Sequence, residues 1–128
     1  MAARVLHFDV GADEPMRAAK FYEDALGWKI DKWEGPMDYW IVTTGPDGEP
    51  GINGGLSKRR EPAGAGAAAA FECTVAVDDL DAYVKRVVKA GGRIVMERSP
   101  IPGVGWFARA QDTEGNFFGL MQPDTSAR

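Results

Sequence analysis

Apolar and polar residues alternate along Val5–Val10 (VLHFDV), which predicts a strand with Leu6, Phe8 and Val10 on one face and Val5, His7 and Asp9 on the other. The period then lengthens. Ala18, Phe21, Tyr22, Ala25 and Leu26 recur at helical spacing. Asp13 suits the N-cap of that helix, Pro15 its first turn, where a missing N–H costs nothing, and Gly27 its end. Strands are expected over Trp28–Asp31 and Tyr39–Thr44. After the turn Pro46-Asp47-Gly48, a Gly-rich strand follows over Gly51–Leu56. The order is β-α-β-β-β.

Ser57–Ala70 (SKRREPAGAGAAAA) interrupts the pattern and reads as a linker of small residues, Pro and Gly. The same order then returns. Phe71–Val77 sets Cys73, Val75 and Val77 against Glu72, Thr74 and Ala76. Asp78 or Asp79 can cap a helix whose apolar stripe is Leu80, Val84, Val87 and Val88, and Gly91-Gly92 ends it. Arg93–Arg98 is a strand. Gly105–Gln111 and Asn116–Gln122, joined through Asp-Thr-Glu-Gly, form a hairpin. An offset of 67 residues pairs His7 with Thr74, Val10 with Val77, Tyr39-Trp40 with Trp106-Phe107, and Gly48 with Gly115. The chain is therefore read as a tandem repeat: module 1 over residues 4–56, a linker over 57–70, module 2 over 71–122 and a tail over 123–128. Each half has a one-faced helix and a sheet too small to bury alone. The expected fold is α+β: two βαβββ modules forming a curved mixed sheet around a central cleft, with helices outside.

Charge and composition narrow the function. A net charge of −4 and a pI near 5.0 argue against a nucleic-acid or anionic-membrane partner, which needs clustered Lys and Arg. The one cysteine, Cys73, excludes an intrachain disulfide or a Cys-rich zinc site, and its apolar surroundings in sequence suggest a buried thiol. With no signal-peptide pattern and no membrane-length apolar run, a cytoplasmic protein is expected.

The text of the repeat resembles the vicinal oxygen chelate superfamily, the glyoxalase, bleomycin-resistance and extradiol dioxygenase proteins. The resemblance rests on His7-Phe8-Asp9-Val10, Ala18-Ala19-Lys20-Phe21-Tyr22, Leu26-Gly27-Trp28 and Gly51–Leu56 in the first half. In the second it rests on Val77–Leu80, Ala90-Gly91-Gly92, Asp112–Asn116 and Gly119–Gln122. It implies the paired βαβββ fold, a homodimer and, in metal-using members, a divalent ion (Zn, Ni, Mn or Fe) held by side chains of the first and last strands of each module.

Checked position by position, His7 matches the first-strand ligand, but its counterpart Thr74 is a poor donor, and Gly119 stands where a Glu is common. The fourth position falls among Asn53, Gly54 and Gly55, of which only Asn53 carries a donor. One histidine does not hold a metal. No cofactor is expected, and His7 is the one metal ligand if an ion binds. His7 is also the best catalytic candidate, since imidazole can exchange protons near neutral pH. The residues expected to line the cleft are His7, Trp40, Asn53, Thr74, Trp106, Phe117, Gly119 and Met121. Asp9 and Glu72 share the His7 and Thr74 faces and are read as solvated carboxylates, while Arg109 could sit on either face. The leading reading is a metal-independent binder of a small aromatic or amphipathic molecule. The alternatives are a metal-dependent lyase, isomerase or dioxygenase with an unusual ligand set, and a regulatory module without catalysis.

Overall fold

A computed structural model describes residues 2–59 and 71–128. It falls into two compact units, one running from His7 to Phe71 and the other from Glu72 to Arg128 together with the chain start up to Leu6. These are modules 1 and 2 below. The linker expected over 57–70 begins later, because Ser57 and Lys58 continue a strand; residues 60–70 lie outside the described residues.

Module 1 contains β1 (Arg4–Ala12) from His7 onward, α1 (Pro15–Leu26), β2 (Lys29–Lys32), β3 (Trp40–Thr43) and β4 (Gly54–Lys58). The strands lie in the order β2-β3-β4-β1, with β1 parallel to β4 and the other pairs antiparallel. Phe8, Val10 and Ala12 of β1 pack with Val42, Leu56 and Ala19 to form the core. Leu6, expected beside them, is 55% exposed. The helix is also rotated from the expected stripe. Ala18, Ala19 and Tyr22 face the core, whereas Phe21 and Leu26 are exposed. Its N-cap is Glu14 rather than Asp13 and makes no side-chain cap bond; Asp13 instead pairs with Arg59 at 3.1 Å. Gly27 ends the helix at φ +72°, a left-handed conformation in which an L side chain is strained. Strand β4 starts three residues later than expected, because Asn53 is committed to the preceding loop, where its Oδ1 accepts the Thr44 backbone N–H at 2.9 Å.

Module 2 contains β5 (Glu72–Ala76), α2 (Leu80–Lys89), β6 (Arg93–Ile101), β7 (Gly105–Gln111) and β8 (Phe117–Pro123). The order β6-β7-β8-β5, with β5 parallel to β8, repeats that of module 1. Val77, Leu80, Ala108 and Leu120 are its core, with Tyr83, Val84, Val87, Trp106 and Phe118 packed around them. Asp79 caps α2 by accepting the Ala82 N–H at 3.2 Å, and Gln122 Oε1 takes the Leu80 N–H at 2.9 Å. Two of the helix's orphan donors are thereby satisfied, one of them from the sheet. Strand β6 runs to Ile101, three residues beyond expectation, with register shifts between Ile94 and Ser99; Pro100 is tolerated because the strand is paired on one side only. The tail over 123–128 is fastened: Asp124 N–H bonds Val104 O, Gly103 N–H bonds Ala127 O at 3.0 Å, and Ala127 is fully buried. Cys73, expected buried, is exposed: it shares the face of Val75 and Val77, but the α2-covered cluster takes in those two residues and does not reach it.

The architecture is thus α+β, with a mixed four-stranded order and one helix in each module. No helix among the described residues is long and apolar enough to cross a membrane.

Candidate functional site

In each module the helix covers one face of the strands, and the alternating positions form the other. In module 1 the helix-free set includes His7 and Asp9 of β1 and Gly55 of β4, with Asp9 directly opposite Gly55 and Gly55 opposite Ile41. Tyr39, just before β3, lays its hydroxyl over Gly55. A Cβ at residue 55 would stand 1.5 Å from that oxygen, so glycine is what admits the tyrosine. Tyr39 Oη donates to Asp9 Oδ1 at 2.7 Å and contacts His7 Nε2 at 2.8 Å; His7 Nε2 also lies 3.4 Å from Asp9 Oδ1. The His7 side chain is 38% exposed. Trp33 packs edge-on against the Tyr39 ring at 6.0 Å and donates its backbone N–H to Tyr39 O, which fixes the segment that carries the hydroxyl.

Module 2 presents a different chemistry on its helix-free set. Thr74 lies opposite Gly119, Arg109 opposite Gly119 from the other side, Phe107 opposite Met121 and Gln111 opposite Phe117. Arg109 forks onto Glu72 through Nε, at 3.2 and 3.0 Å to the two carboxylate oxygens, and through Nη2 at 2.7 Å. The pair is largely sealed, with side chains 8% and 16% exposed, and the guanidinium carbon sits 4.1 Å from the Phe117 ring centre. Glu72 is therefore an ion-pair partner and not the solvated carboxylate expected. Thr74 is buried beside Gly119, and a Cβ on Gly119 would stand 2.5 Å from Phe107 Cε1 and 2.8 Å from Thr74 Oγ1. The space that a side chain at 119 would need is filled by the Phe107 ring.

The remaining expected residues sort cleanly by face. Phe117 and Met121 share the Gly119 set. Trp40 pairs with the core residue Leu56 and packs with the α1-covered cluster, and Trp106 packs against the α2-covered cluster with its Nε1 donating to Asp124 at 3.0 Å. Both tryptophans are thus on helix-covered faces. Asn53 is held by Thr44. Sequence reasoning left out Tyr39 and the role of Phe107. The Gly-Gly pair in GINGGL was the available signal for Tyr39, since a bare strand position invites a neighbouring ring. A groove of about 370 Å³ in module 1, lined by Asp13, Arg17, Phe21 and Arg59 among others, lies on the α1 side and includes none of the candidate residues.

The family model of the glyoxalase/bleomycin resistance protein/dioxygenase superfamily matches residues 4–120. The chain belongs to this superfamily. A glyoxylase-like domain-containing protein of Didymella fabae is 33% identical over 112 residues, covering 84% of each chain. CFP32 of Mycobacterium tuberculosis, which carries a glyoxylase name, is 33% identical over 113 residues, 87% of this chain and 41% of that protein. The anthracycline biosynthesis protein DnrV of Streptomyces peucetius is 27% identical over 126 residues, 45% of its length. The chain thus spans less than half of these two relatives. Among solved structures, methylmalonyl-CoA epimerase from Mycobacterium tuberculosis is similar with a TM-score of 0.67 at 18% identity, covering 94% of this chain and 87% of that one. A superfamily member from Vibrio splendidus gives 0.61 at 18% identity. At this identity the likeness is one of fold.

The residues at the superfamily's metal positions do not fit a divalent ion. Position 119 has no donor and its space holds a phenyl ring; Thr74 offers a buried hydroxyl, Asn53 is engaged and Gly55 is roofed by Tyr39. His7 alone is a strong donor, and its Nε2 is already in a hydrogen bond. Among the described residues no three His, Cys, Asp or Glu side chains converge.

Proposed function

We propose that this glyoxalase-superfamily chain is a metal-independent protein that binds a small aromatic or amphipathic molecule against the helix-free faces of its sheets. The observation that carries the reading is the Phe107 ring standing where a ligand-bearing side chain at 119 would have to be. The surrounding chemistry supports it. Phe117 and Met121, both half-buried, offer apolar and polarisable surface beside a sealed Arg109–Glu72 pair, a combination suited to a flat ligand with a polar edge. The protein is taken to act as a cytoplasmic homodimer.

Two measurements test this. Untagged protein analysed for bound Zn, Ni, Mn and Fe should hold far less than one equivalent of each. A near-stoichiometric ion that is lost on His7→Ala would overturn metal independence and favour a lyase, isomerase or dioxygenase. A fluorescence screen with small aromatics should find saturable binding that is weakened by Phe117→Ala. No binding across a broad library would leave the fold without this function and favour an interaction module.

A further inference from the structure

The three-residue cluster on module 1 fixes more than a position. A carboxylate offers only lone pairs, so the 2.7 Å contact between Tyr39 Oη and Asp9 Oδ1 must use the tyrosine's single proton. That leaves Tyr39 Oη as the acceptor in its 2.8 Å contact with His7 Nε2, and the proton in this second bond must come from the imidazole. The 3.4 Å approach of Nε2 to Asp9 Oδ1 points the same way, since a bare nitrogen lone pair facing a carboxylate oxygen would be repelled. The imidazole therefore carries its hydrogen on Nε2. In the neutral imidazole Nδ1 then keeps the lone pair; it makes no hydrogen bond among the described residues and belongs to a side chain that is 38% exposed.

From this geometry we infer that His7 Nδ1 is a pre-oriented acceptor for a hydroxyl on the bound molecule, so that the site selects hydroxylated aromatics, phenols in particular. The inference rests on the reading above that a small aromatic molecule binds the helix-free faces, and it names the chemistry that this face recognises. Two features of module 1 and one of the ligand favour a phenol over an aliphatic alcohol. Ile41, 41% exposed, shares the row of Asp9 and Gly55 and gives an apolar bed. The Tyr39 and Trp33 rings stand beside it, a surface on which a flat ring can rest. A phenol hydroxyl is also the more acidic donor and makes the stronger bond to imidazole nitrogen. Tyr39 and Asp9 are positioning residues here. They hold the tautomer, and the ligand meets His7.

The chain has one histidine, so its imidazole can be observed without assignment. Protein carrying nitrogen-15 only in histidine should show a protonated Nε2 and a bare, pyridine-like Nδ1 in a long-range proton–nitrogen correlation spectrum near pH 8. Tyr39→Phe keeps the ring over Gly55 and should shift the spectrum toward a mixture of tautomers. In titrations, a naphthol should bind about fivefold to tenfold more tightly than its methyl ether, the yield of one hydrogen bond. The naphthol should also move the Nδ1 resonance, and the preference should vanish in His7→Ala. A proton on Nδ1 in the native protein, or equal affinities for naphthol and ether, would overturn the inference while leaving a small-molecule binder standing. Failure of both probes, and of the wider aromatic library, would remove the binder itself and the inference with it.

Discussion

Residue 119 is tolerated only without a side chain, because its neighbours have closed over it. Gly119→Ala places a methyl group within 2.5 Å of the Phe107 ring and 2.8 Å of Thr74 Oγ1, and should cost about 1–3 kcal/mol, the usual range for overpacking. Chemical denaturation would read this as a lower midpoint at unchanged slope. Combining it with Phe107→Leu should recover part of the loss, since the clash is with the ring. Additive losses would mean that Thr74, not Phe107, is the obstacle. Arg109 is the other sensitive point. Arg109→Met removes the guanidinium from a carboxylate that is 16% exposed and should destabilise by about 3 kcal/mol, whereas Arg109→Met with Glu72→Met should cost much less. A double-mutant cycle on these two positions measures the difference.

At the scale of the element, the two helices are built unequally. Helix α2 has a side-chain cap at Asp79 and a second bond from Gln122, whereas α1 starts at Glu14 with no side-chain cap. Asp79→Ala should therefore cost about 1 kcal/mol by thermal or chemical unfolding. The strands and helices were legible in the sequence because their hydrophobic period is strong, and the hairpin strand Gly105–Gln111 has the bounds that its alternation predicts. The departures have local causes. Leu6 continues the alternation of β1, but α1 leaves it uncovered, and Phe21 lies on the helical period at an angle that the core does not reach. The candidate site was legible in part. Alternation placed His7, Thr74, Phe117, Gly119 and Met121 on helix-free faces, but it could not orient Trp40 or Trp106, because a tryptophan on an alternating strand suits either face. Tyr39 was marked only indirectly, by the bare Gly54-Gly55 pair, for a different reason. Its partnership with His7 spans 32 residues and depends on a missing Cβ at Gly55, a tertiary fact with no periodic signature.

For the molecule as a whole, the C-terminal segment links acid stability to the fold. Asp124 accepts from the Ser126 hydroxyl, the Trp106 indole and the Ser126 backbone N–H, and these bonds lower its pKa below the ordinary value of 3.8. A carboxyl group whose pKa is lower folded than unfolded binds fewer protons in the native state, so its stabilisation is present above about 3.8 and is lost as pH falls through the lowered value. Asp112, held by Asn116 and the Glu114 backbone, acts in the same direction. Asp124→Asn should therefore flatten the fall in melting temperature below pH 4 while changing little of its slope at neutral pH. The bond from Trp106 to Asp124 also gives this segment an optical signal. Trp28, Trp33 and Trp40 belong to one unit and Trp106 alone to the other, so a chain with the first three replaced by phenylalanine would emit from module 2 only. Its emission would redden when the C-terminal strap lets go of the indole, and comparison with the native chain would show whether the two units melt in one step or in two.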